Sequence, residues 1–325
     1  MKGNGSKVKS LKEAVGKFIF NGAHISIGGF TVNRNPMAAV HEIIRSRVRD
    51  LHIYVHSNGQ GVDELIGAGC VKSIEIAYGA NGRFAPTCVR FRKAVEQGLI
   101  DIEDYTNYQM NLRFLAGSMG VPFLPCRSAL GTDIVNTWGF SEHMRTNDPK
   151  FPDKKLEVLD NPFGQWAETS KVVLVPAINP DVTFIHVQEA DSQGTCKIMG
   201  LSFGDVEQAK ASKHVVVTCE NLVETETMRK HPEQNQIPGI YVDAVVHVPY
   251  GAFPTACYRY YDYEPTYLHE YFRDAQDDVS NEQNRQRYVY ELEGHADLLN
   301  LVGQERLDTI AADPETGYAV NLKRV

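Results

Sequence analysis

The sequence lacks the features that mark several large classes of protein. No run approaches the roughly 18 uninterrupted apolar residues of a membrane-spanning helix, and the basic N-terminal stretch has no apolar core behind it, so we expect no signal peptide. Lysines and arginines total 33 against 41 aspartates and glutamates, a net charge of -8. This balance argues against nucleic-acid binding, which needs clustered basic residues. A reduced cytoplasmic protein without membrane contact is the simplest expectation.

The six cysteines also lack the spacing of a metal or dithiol site. No two of them lie within four residues of each other, so there is no CxxC pair. His52 and His56 fall on the same face of a predicted strand, but no carboxylate motif joins them. We therefore expect no bound metal.

Two nucleotide-binding motifs and the serine-hydrolase motif are absent as well. The first predicted strand leads into Gly28-Gly29-Phe30-Thr31-Val32-Asn33, which is not GxGxxG, and no GxxxxGK[ST] occurs. Ser118 lacks the glycine two residues before it that a GxSxG elbow requires. Cys219 ends a predicted buried strand, where a free cysteine usually packs as a small apolar residue.

The regular alternation of short apolar runs and helical patterns indicates the fold class. The chain has 325 residues, of which 42% are hydrophobic and 23% charged, as in globular proteins, and its length alone suggests roughly two domains. We predict an α/β fold, mainly a parallel sheet flanked by helices. The predicted strands cover residues 24–27, 51–56, 71–77, 99–102, 121–125, 171–175, 182–187, 214–219 and 244–248.

Three segments depart from this alternation. Residues 146–166 are polar and proline-rich and are predicted to run over the surface. Residues 266–325 are helical and charged, and we expect them to pack on the same domain, so that residues 1–325 form a single unit. Residues 258–271 hold six of the 15 tyrosines. These tyrosines suit either a subunit interface or packing onto the chain's own core.

Candidate site residues follow the strands. Ligands of open parallel sheets bind beyond the carboxyl ends of the strands, which points to the loops at residues 28–35, 57–61, 78–85 and 128–133. Gly28 and Gly29 would let backbone N–H groups approach a bound oxygen, as an oxyanion site requires. A tight turn between strand and helix is the alternative, and the residues alone favour it.

The segment from Asn21-Gly22 to Pro36 resembles the first signature of the class I coenzyme A transferases. That signature is an Asn-Gly turn, an apolar strand, Gly-Gly-Phe and a proline six residues after the phenylalanine. Arg34 stands where many members have glycine, and this variant resembles glutaconate-type A subunits in particular. Further matching runs lie at residues 91–93, 103–105, 121–125, 160–163, 217–220, 237–239, 242–246 and 249–252.

The resemblance implies a two-subunit enzyme that moves coenzyme A between an acyl-CoA and a free carboxylic acid. The B subunit of such enzymes carries the covalent glutamate, in a Ser-Glu-Asn-Gly type of strand end. Glu220-Asn221 is the nearest match here, but Cys219 precedes it and Leu222 follows where glycine belongs. We therefore expect an A subunit with no catalytic residue of its own, paired with a B subunit in a larger hetero-oligomer. Coenzyme A would be substrate and product, with no tightly bound cofactor.

The resemblance also assigns roles to the loop residues. Gly28, Gly29 and Phe30 would line the pocket near the acyl carbonyl, and Thr31 and Arg34 would donate to a carboxylate or a CoA phosphate. The other three loops contribute Asn58, Gly59, Tyr78, Asn81, Gly82, Arg83, Gly131, Thr132 and Asp133.

One departure from glutaconate-type A subunits bears on the substrate. Those subunits tend to have a serine after the Tyr-x-Ala-Asn run, whereas here Tyr78-Gly-Ala-Asn81 leads into Gly82-Arg83-Phe84. The loss of that hydroxyl and the gain of a cation suggest a different acid, with another dicarboxylic acid as the expectation.

The sequence leaves two alternative functions open. Some transferase-like pairs hydrolyse a carbon–carbon bond in a CoA-bound ring; these carry a glutamate where Asn107 lies here, which disfavours that reaction. A non-catalytic sensor of sugar phosphates is the alternative from another class. It is disfavoured by the negative charge and by the lack of a helix-turn-helix segment before the fold.

Overall fold

The structure, a computed structural model, describes residues 5–322. Eleven strands occur in this range: β1 His24–Ile27, β2 Leu51–Asn58, β3 Val71–Gly79, β4 Asp101–Asp104, β5 Phe123–Cys126, β6 Glu157–Asp160, β7 Lys171–Pro176, β8 Val182–Asp191, β9 Cys196–Lys197, β10 His214–Val223 and β11 Ala244–His247. Seven form a parallel sheet in the order β11-β10-β8-β1-β2-β3-β4, and β9 pairs antiparallel with β8. The predicted α/β class with a mainly parallel sheet is confirmed.

Helices connect these strands and extend the chain beyond β11. They are α1 Leu11–Phe18, α2 Met37–Arg45, α3 Gln60–Gly67, α4 Val89–Glu96, α5 Asn107–Met119, α6 Glu142–Asn147, α7 Asp205–Ala211, α8 Thr225–Lys230, α9 Pro265–Asp274, α10 Asp278–Arg285, α11 His295–Val302 and α12 Gln304–Ile310. Ser10 and Glu13 form a capping box at the start of α1. None of the helices described in residues 5–322 is long and apolar enough to span a membrane.

The order of the strands places helices on both faces of the sheet. From β1 the chain moves outward through β2 and β3 to β4, whereas from β8 it moves the opposite way through β10 to β11. Because crossovers are right-handed, the two directions put their helices on opposite faces. Two consecutive residues of β2 point to opposite faces of the sheet. Ile53 packs in the core with α2 and α3, and Tyr54 packs with Phe114 of α5.

Two predicted strands lie outside the parallel sheet. Residues 121–125 and 171–175 were expected to continue the parallel pattern, but β5 and β7 pair antiparallel and form a separate three-stranded sheet with β6. The periodicity of a strand carries no information about its partner, so the sequence could not distinguish the two arrangements.

The segment at residues 146–166 is packed in its middle and is not wholly a surface excursion. It supplies β6, and Phe151 and Leu156 are buried. Lys155 is 0% exposed, and its ammonium donates to the Asp104 carboxylate and to two backbone carbonyls at 2.8–2.9 Å. A buried charge paired in this way fastens the segment to the end of β4.

The C-terminal segment is helical through α9 to α12, as expected, although residues 323–325 of the predicted range lie outside the described residues. Tyr267, Tyr271 and Tyr261 are buried in a core that also contains Val89 of α4. The Tyr271 hydroxyl donates to Asp63 of α3 at 3.0 Å. Tyr260 and Tyr263 are partly buried against the same core, so five of the six tyrosines pack onto the chain itself. The single-domain organisation stays a prediction.

A buried polar network lies at the amino edge of the sheet. The Nδ1 atom of His24 lies 2.8 Å from the Tyr54 hydroxyl, and its Nε2 atom lies 3.0 Å from the Asp148 carboxylate. Burial, together with the neighbouring His52, lowers the pKa of His24 from 6.5 to about 4. The folded protein thus keeps this imidazole neutral over a pH range in which the unfolded chain binds a proton.

This pKa difference predicts acid sensitivity. The contribution of His24 to stability is complete above pH 6.5 and is lost as the pH falls toward 4, because only the unfolded state takes up the proton there; the loss is about 3 kcal/mol. Urea unfolding followed by circular dichroism at pH 7, 6, 5 and 4 measures it. His24→Gln, which keeps a donor for Asp148, should show a shallower fall than the wild type.

The matched control is His231→Gln, because His231 is exposed and should leave the pH dependence unchanged. Equal slopes for the wild type and His24→Gln would contradict the assignment of acid sensitivity to His24.

Candidate functional site

The order in which the chain adds strands to the sheet reverses between β1 and β8. Strands β2 to β4 lie on one side of this point, and β10 and β11 lie on the other. Crevices at such switch points bind ligands in open α/β folds. β1 ends at Ile27, opposite Phe184, whereas β8 continues to Asp191, so the loop after β1 lies beside the remaining half of β8.

A cavity of about 510 Å³ opens at this crevice, within the range of about 300–1,000 Å³ typical of small-molecule sites. We call it the switch-point pocket. The residues that define its walls are Phe30, Arg34, Leu201, Phe203, Tyr258 and Tyr318. Of the predicted site residues, Phe30 and Arg34 thus line it.

The backbone N–H groups of the Gly-Gly-Phe loop already have acceptors within the chain. Gly28 donates to the Phe184 carbonyl at 2.9 Å, and Gly29 donates to Oδ1 of Asp205 at 2.9 Å. Gly29 has φ +85°, and a Cβ there would lie 2.6 Å from backbone oxygens of the same loop, so glycine is required. The loop therefore makes the tight turn that the residues alone favour, with both N–H groups donating within the chain. A position of Gly28 and Gly29 near the acyl carbonyl stays a prediction.

Asp205 also forms an ion pair with Arg34. Its guanidinium donates to Oδ2 of Asp205 at 2.6 Å and to the carbonyls of His186 at 2.8 Å and Leu201 at 3.1 Å. The side chains of Arg34 and Asp205 are 3% and 0% exposed. The prediction that Arg34 offers a cation to a substrate therefore needs correction, because its charge is neutralised by a buried carboxylate.

The second loop holds its neighbours in place. The Asn58 amide donates to the Gly28 carbonyl at 3.2 Å and accepts from the Val62 N–H. A Cβ on Gly59 would lie 1.9 Å from Oδ1 of Asn81, so the loops after β2 and β3 approach each other here. Thr31 is buried, and its backbone N–H donates to the carbonyl of Ser57 in β2 at 3.4 Å. Asn58, Gly59, Asn81 and Thr31 thus belong to one packed edge.

The third loop also has exposed residues, Tyr78 and Arg83, although Phe84 and Ala85 are buried. Tyr78 is 40% exposed, and Gly82, with φ +55°, lets the loop turn before Arg83. The Arg83 guanidinium lies over the rings of Phe84 and Tyr263, with ring-centroid distances of 5.1 and 5.5 Å, and donates to the Tyr263 hydroxyl at 3.1 Å. This cation lies outside the lining of the switch-point pocket.

The fourth loop adjoins the carboxyl edge although it follows a strand of the separate antiparallel sheet. Gly131, Thr132 and Asp133 are exposed and follow β5, which is not a strand of the parallel sheet. The hydroxyl of Ser128 nevertheless lies 2.7 Å from that of Thr106, the residue that caps α5 after β4. The predicted strand exists as β5 but pairs in the separate antiparallel sheet, and the loop still adjoins the carboxyl edge.

Sequence reasoning missed two residues of this region. Asp205 lies far along the chain from Gly29 and Arg34, and no local pattern links them. His56, at the end of β2, lies 5.6 Å from the Phe30 ring, and burial lowers its pKa. Its Nε2 atom has no hydrogen-bond partner among the described residues. In the sequence, the one feature that singled out His56 was its position on the same face of a predicted strand as His52.

Glu220 occupies a closed site. Its carboxylate accepts from Nε2 of His186 at 2.7 Å, from the Tyr261 hydroxyl at 2.6 Å and from the backbone N–H groups of Tyr250 and Gly251. Burial raises the pKa of Tyr261 well above its usual value, so its hydroxyl stays protonated and donates. Cys257 is close enough to complete a metal-ligand set with His186 and Glu220, but the hydrogen bonds already satisfy this carboxylate.

Comparison with known proteins identifies the family. Residues 8–248 match the family model described as coenzyme A transferase. The chain belongs to the coenzyme A transferase family. It is 39% identical to the A subunit of the glutaconate CoA-transferase of Acidaminococcus fermentans over 98% of this chain and 99% of that protein. The crystal structure of that enzyme superposes with a TM-score of 0.92 over 97% of this chain and 98% of that one.

More distant relatives carry two kinds of name. The A subunit of the 3-oxoadipate CoA-transferase of Pseudomonas knackmussii is 30% identical over 79% of this chain and 84% of that protein. The cholesterol ring-cleaving hydrolase IpdA subunit of Rhodococcus jostii is 30% identical over 82% of this chain and 86% of that protein. The resemblance proposed from the Gly28-Gly29-Phe30 segment is thereby confirmed.

In this coenzyme A transferase fold, Asp205→Asn should destabilise the chain. The amide keeps an acceptor for the Gly29 N–H but leaves the Arg34 guanidinium buried without its counter-charge, at a cost of about 3–5 kcal/mol. Urea unfolding at pH 7 measures the loss. In the double variant Arg34→Met/Asp205→Asn the loss should be smaller than the sum of the two single losses, because the unpaired charge is gone.

The exposed Asp153 provides the matched control, since Asp153→Asn should change stability by no more than about 0.5 kcal/mol. Additive losses in the double variant would show that the two side chains do not interact as the structure indicates.

Proposed function

We propose that this chain is the A subunit of a two-subunit transferase that moves coenzyme A between an acyl-CoA and a free carboxylic acid. Similarity over nearly the full length to a protein named as the A subunit of glutaconate CoA-transferase carries this proposal. The environment of Glu220 also supports it. The Glu220 residue is 4% exposed and its carboxylate accepts from four donors, so it is poorly placed to act as the nucleophile, which the proposal assigns to the B subunit. The proposed site of action is cytoplasmic, in an assembly of several A–B pairs.

The proposed reaction is covalent and runs in two halves. On the B subunit, a glutamate carboxylate attacks the acyl-CoA carbonyl, which forms a mixed anhydride and releases CoA thiolate. The thiolate attacks the glutamyl carbonyl, which gives a glutamyl-CoA thioester and frees the first acid. The second acid then attacks this thioester, which forms a new mixed anhydride and releases CoA thiolate. The thiolate attacks the acyl carbonyl of that anhydride, which gives the new acyl-CoA and frees the glutamate carboxylate.

The share of this chain in that reaction is positioning. Asp205 and Arg34 hold the loop after β1, and Asn58 and Asn81 hold the loops after β2 and β3 against it. A rigid edge of this kind orients the reacting acid without offering a competing nucleophile, which is how bound geometry lowers a barrier. No cofactor beyond coenzyme A itself is needed for the proposed steps.

Inactivity of the isolated chain is the first test. Purified alone, it should transfer no CoA, whereas co-expression with the chain encoded beside it should yield a complex that does. After incubation with acyl-CoA, mass spectrometry should find the CoA adduct on a glutamate of the partner. An adduct on Glu220, or transfer by this chain alone, would overturn the proposal.

Arg83 is the residue we propose for recognition of a dicarboxylic acid. Its guanidinium lies over the rings of Phe84 and Tyr263 and donates to the Tyr263 hydroxyl; because a guanidinium carries five N–H donors, it can serve the second carboxylate of a bound acid in addition to its contacts within the chain. In the active complex, Arg83→Gln should raise the KM for succinate by about 10- to 100-fold, the value of a lost charge-assisted hydrogen bond.

The control is Arg92→Gln, since Arg92 is also exposed but belongs to α4. It should leave the KM for succinate unchanged. If both substitutions have the same effect, Arg83 acts only through the net charge of the protein.

The two alternative functions are not favoured. The hydrolase alternative lacks the expected glutamate: Asn107 stands there and accepts from the Ser57 hydroxyl at 2.6 Å. The relative named as a ring-cleaving hydrolase is less similar than the glutaconate transferase relative. The sensor alternative has no observation in its favour, because membership of the family accounts for the fold.

A further inference from the structure

The switch-point pocket carries no net charge, although an arginine lines it. Arg34 is the only charged side chain among the described residues of its lining, and Asp205 neutralises it at 2.6 Å. Both groups are buried and use their polar atoms on each other and on backbone groups. A second carboxylate placed in this pocket would lose its hydration without gaining an unpaired cation.

The walls of the pocket are mainly aromatic and aliphatic, with Asn33 as an uncharged polar residue among them. The Phe30 and Phe203 rings stack with centroids 4.8 Å apart and an interplanar angle of 11°, and the Tyr258 and Tyr318 rings lie 5.2 Å apart. Leu201, at 74% exposed, belongs to the same lining. Such walls favour an apolar chain or a flat ring, which gains by leaving water.

The volume of about 510 Å³ exceeds what a short charged acid needs. Arg83, the cation that suits a dicarboxylic acid, lies outside this lining. The carboxyl edge therefore offers two different environments: a cation presented at the surface after β3, and an uncharged aromatic pocket at the switch point.

We propose that the switch-point pocket binds the uncharged, apolar body of one of the two acids that exchange coenzyme A. That acid has an aliphatic chain or aromatic ring and no second carboxylate, whereas its co-substrate is the dicarboxylic acid at Arg83. This inference rests on the proposed function, but it makes a separate claim about binding by this chain.

Hexanoate and adipate test the claim, because they share six carbons and differ in the group at the far end. Isothermal titration of the full chain carrying Arg83→Gln, which removes the proposed dicarboxylate cation outside the pocket, should give a dissociation constant at least about tenfold lower for hexanoate than for adipate, since adipate must desolvate a second carboxylate in the pocket. Leu201→Arg supplies the missing cation and should reduce this ratio by about tenfold or more.

Two further variants separate charge from other effects. Leu201→Gln adds polarity without charge and should not improve the binding of adipate. Ile240→Arg places the same charge at a residue that is 76% exposed and outside the lining, and should leave both dissociation constants unchanged. Thermal unfolding of each variant confirms that it is folded before titration.

The outcomes distinguish this inference from the proposed function. Loss of hexanoate selectivity in Leu201→Arg supports the pocket even if the co-expressed complex transfers no CoA to any acid, in which case the proposed function is wrong. CoA transfer by the complex together with an unchanged ratio in Leu201→Arg overturns the pocket alone. If Leu201→Arg dissociates the complex while hexanoate binding stays the same, this surface contacts the partner, and the inference is wrong.

Discussion

The carboxyl edge of the sheet depends on one buried carboxylate. Asp205 accepts from the Gly29 N–H with one oxygen and from Arg34 with the other, and so joins the loop after β1 to the start of α7. Desolvation of these two charges is expensive, and their short distance and additional hydrogen bonds compensate for it. Without this pair, the Gly-Gly-Phe turn would lose the hydrogen bonds that fix it to α7.

The same pairing decides the chemical character of the site. An arginine at the switch point suggests anion binding, but the structure uses that charge internally, as it uses the charge of Glu220 in the His186 and Tyr261 network. The switch-point pocket that remains is mainly aromatic and aliphatic and carries no net charge. Under the proposed function, a chain of this kind supplies shape and orientation, and its partner supplies the nucleophile.

The sequence predicted those parts of the fold that depend on nearby residues. The first strand is such a local signal: residues 24–27 were predicted as a strand, and β1 spans His24–Ile27. β4 was placed two residues too early, because Leu99 looks like a strand residue but is 67% exposed after a turn at Gly98. The antiparallel partners of β5 and β7 were missed because an apolar run does not encode which strand it meets.

By itself the sequence determined the fold class, the family and the four loops in which a site could lie, since strand periodicity, glycine turns and an ordered set of motifs are written in neighbouring residues. Only the tertiary structure decided which polar groups remain available to a ligand. Arg34 and Asp205 are distant in the chain, and so are Glu220 and Tyr261. Such long-range pairs decide whether a charged side chain is neutralised within the fold or can bind a ligand. Its burial and its partners therefore matter more than its residue type.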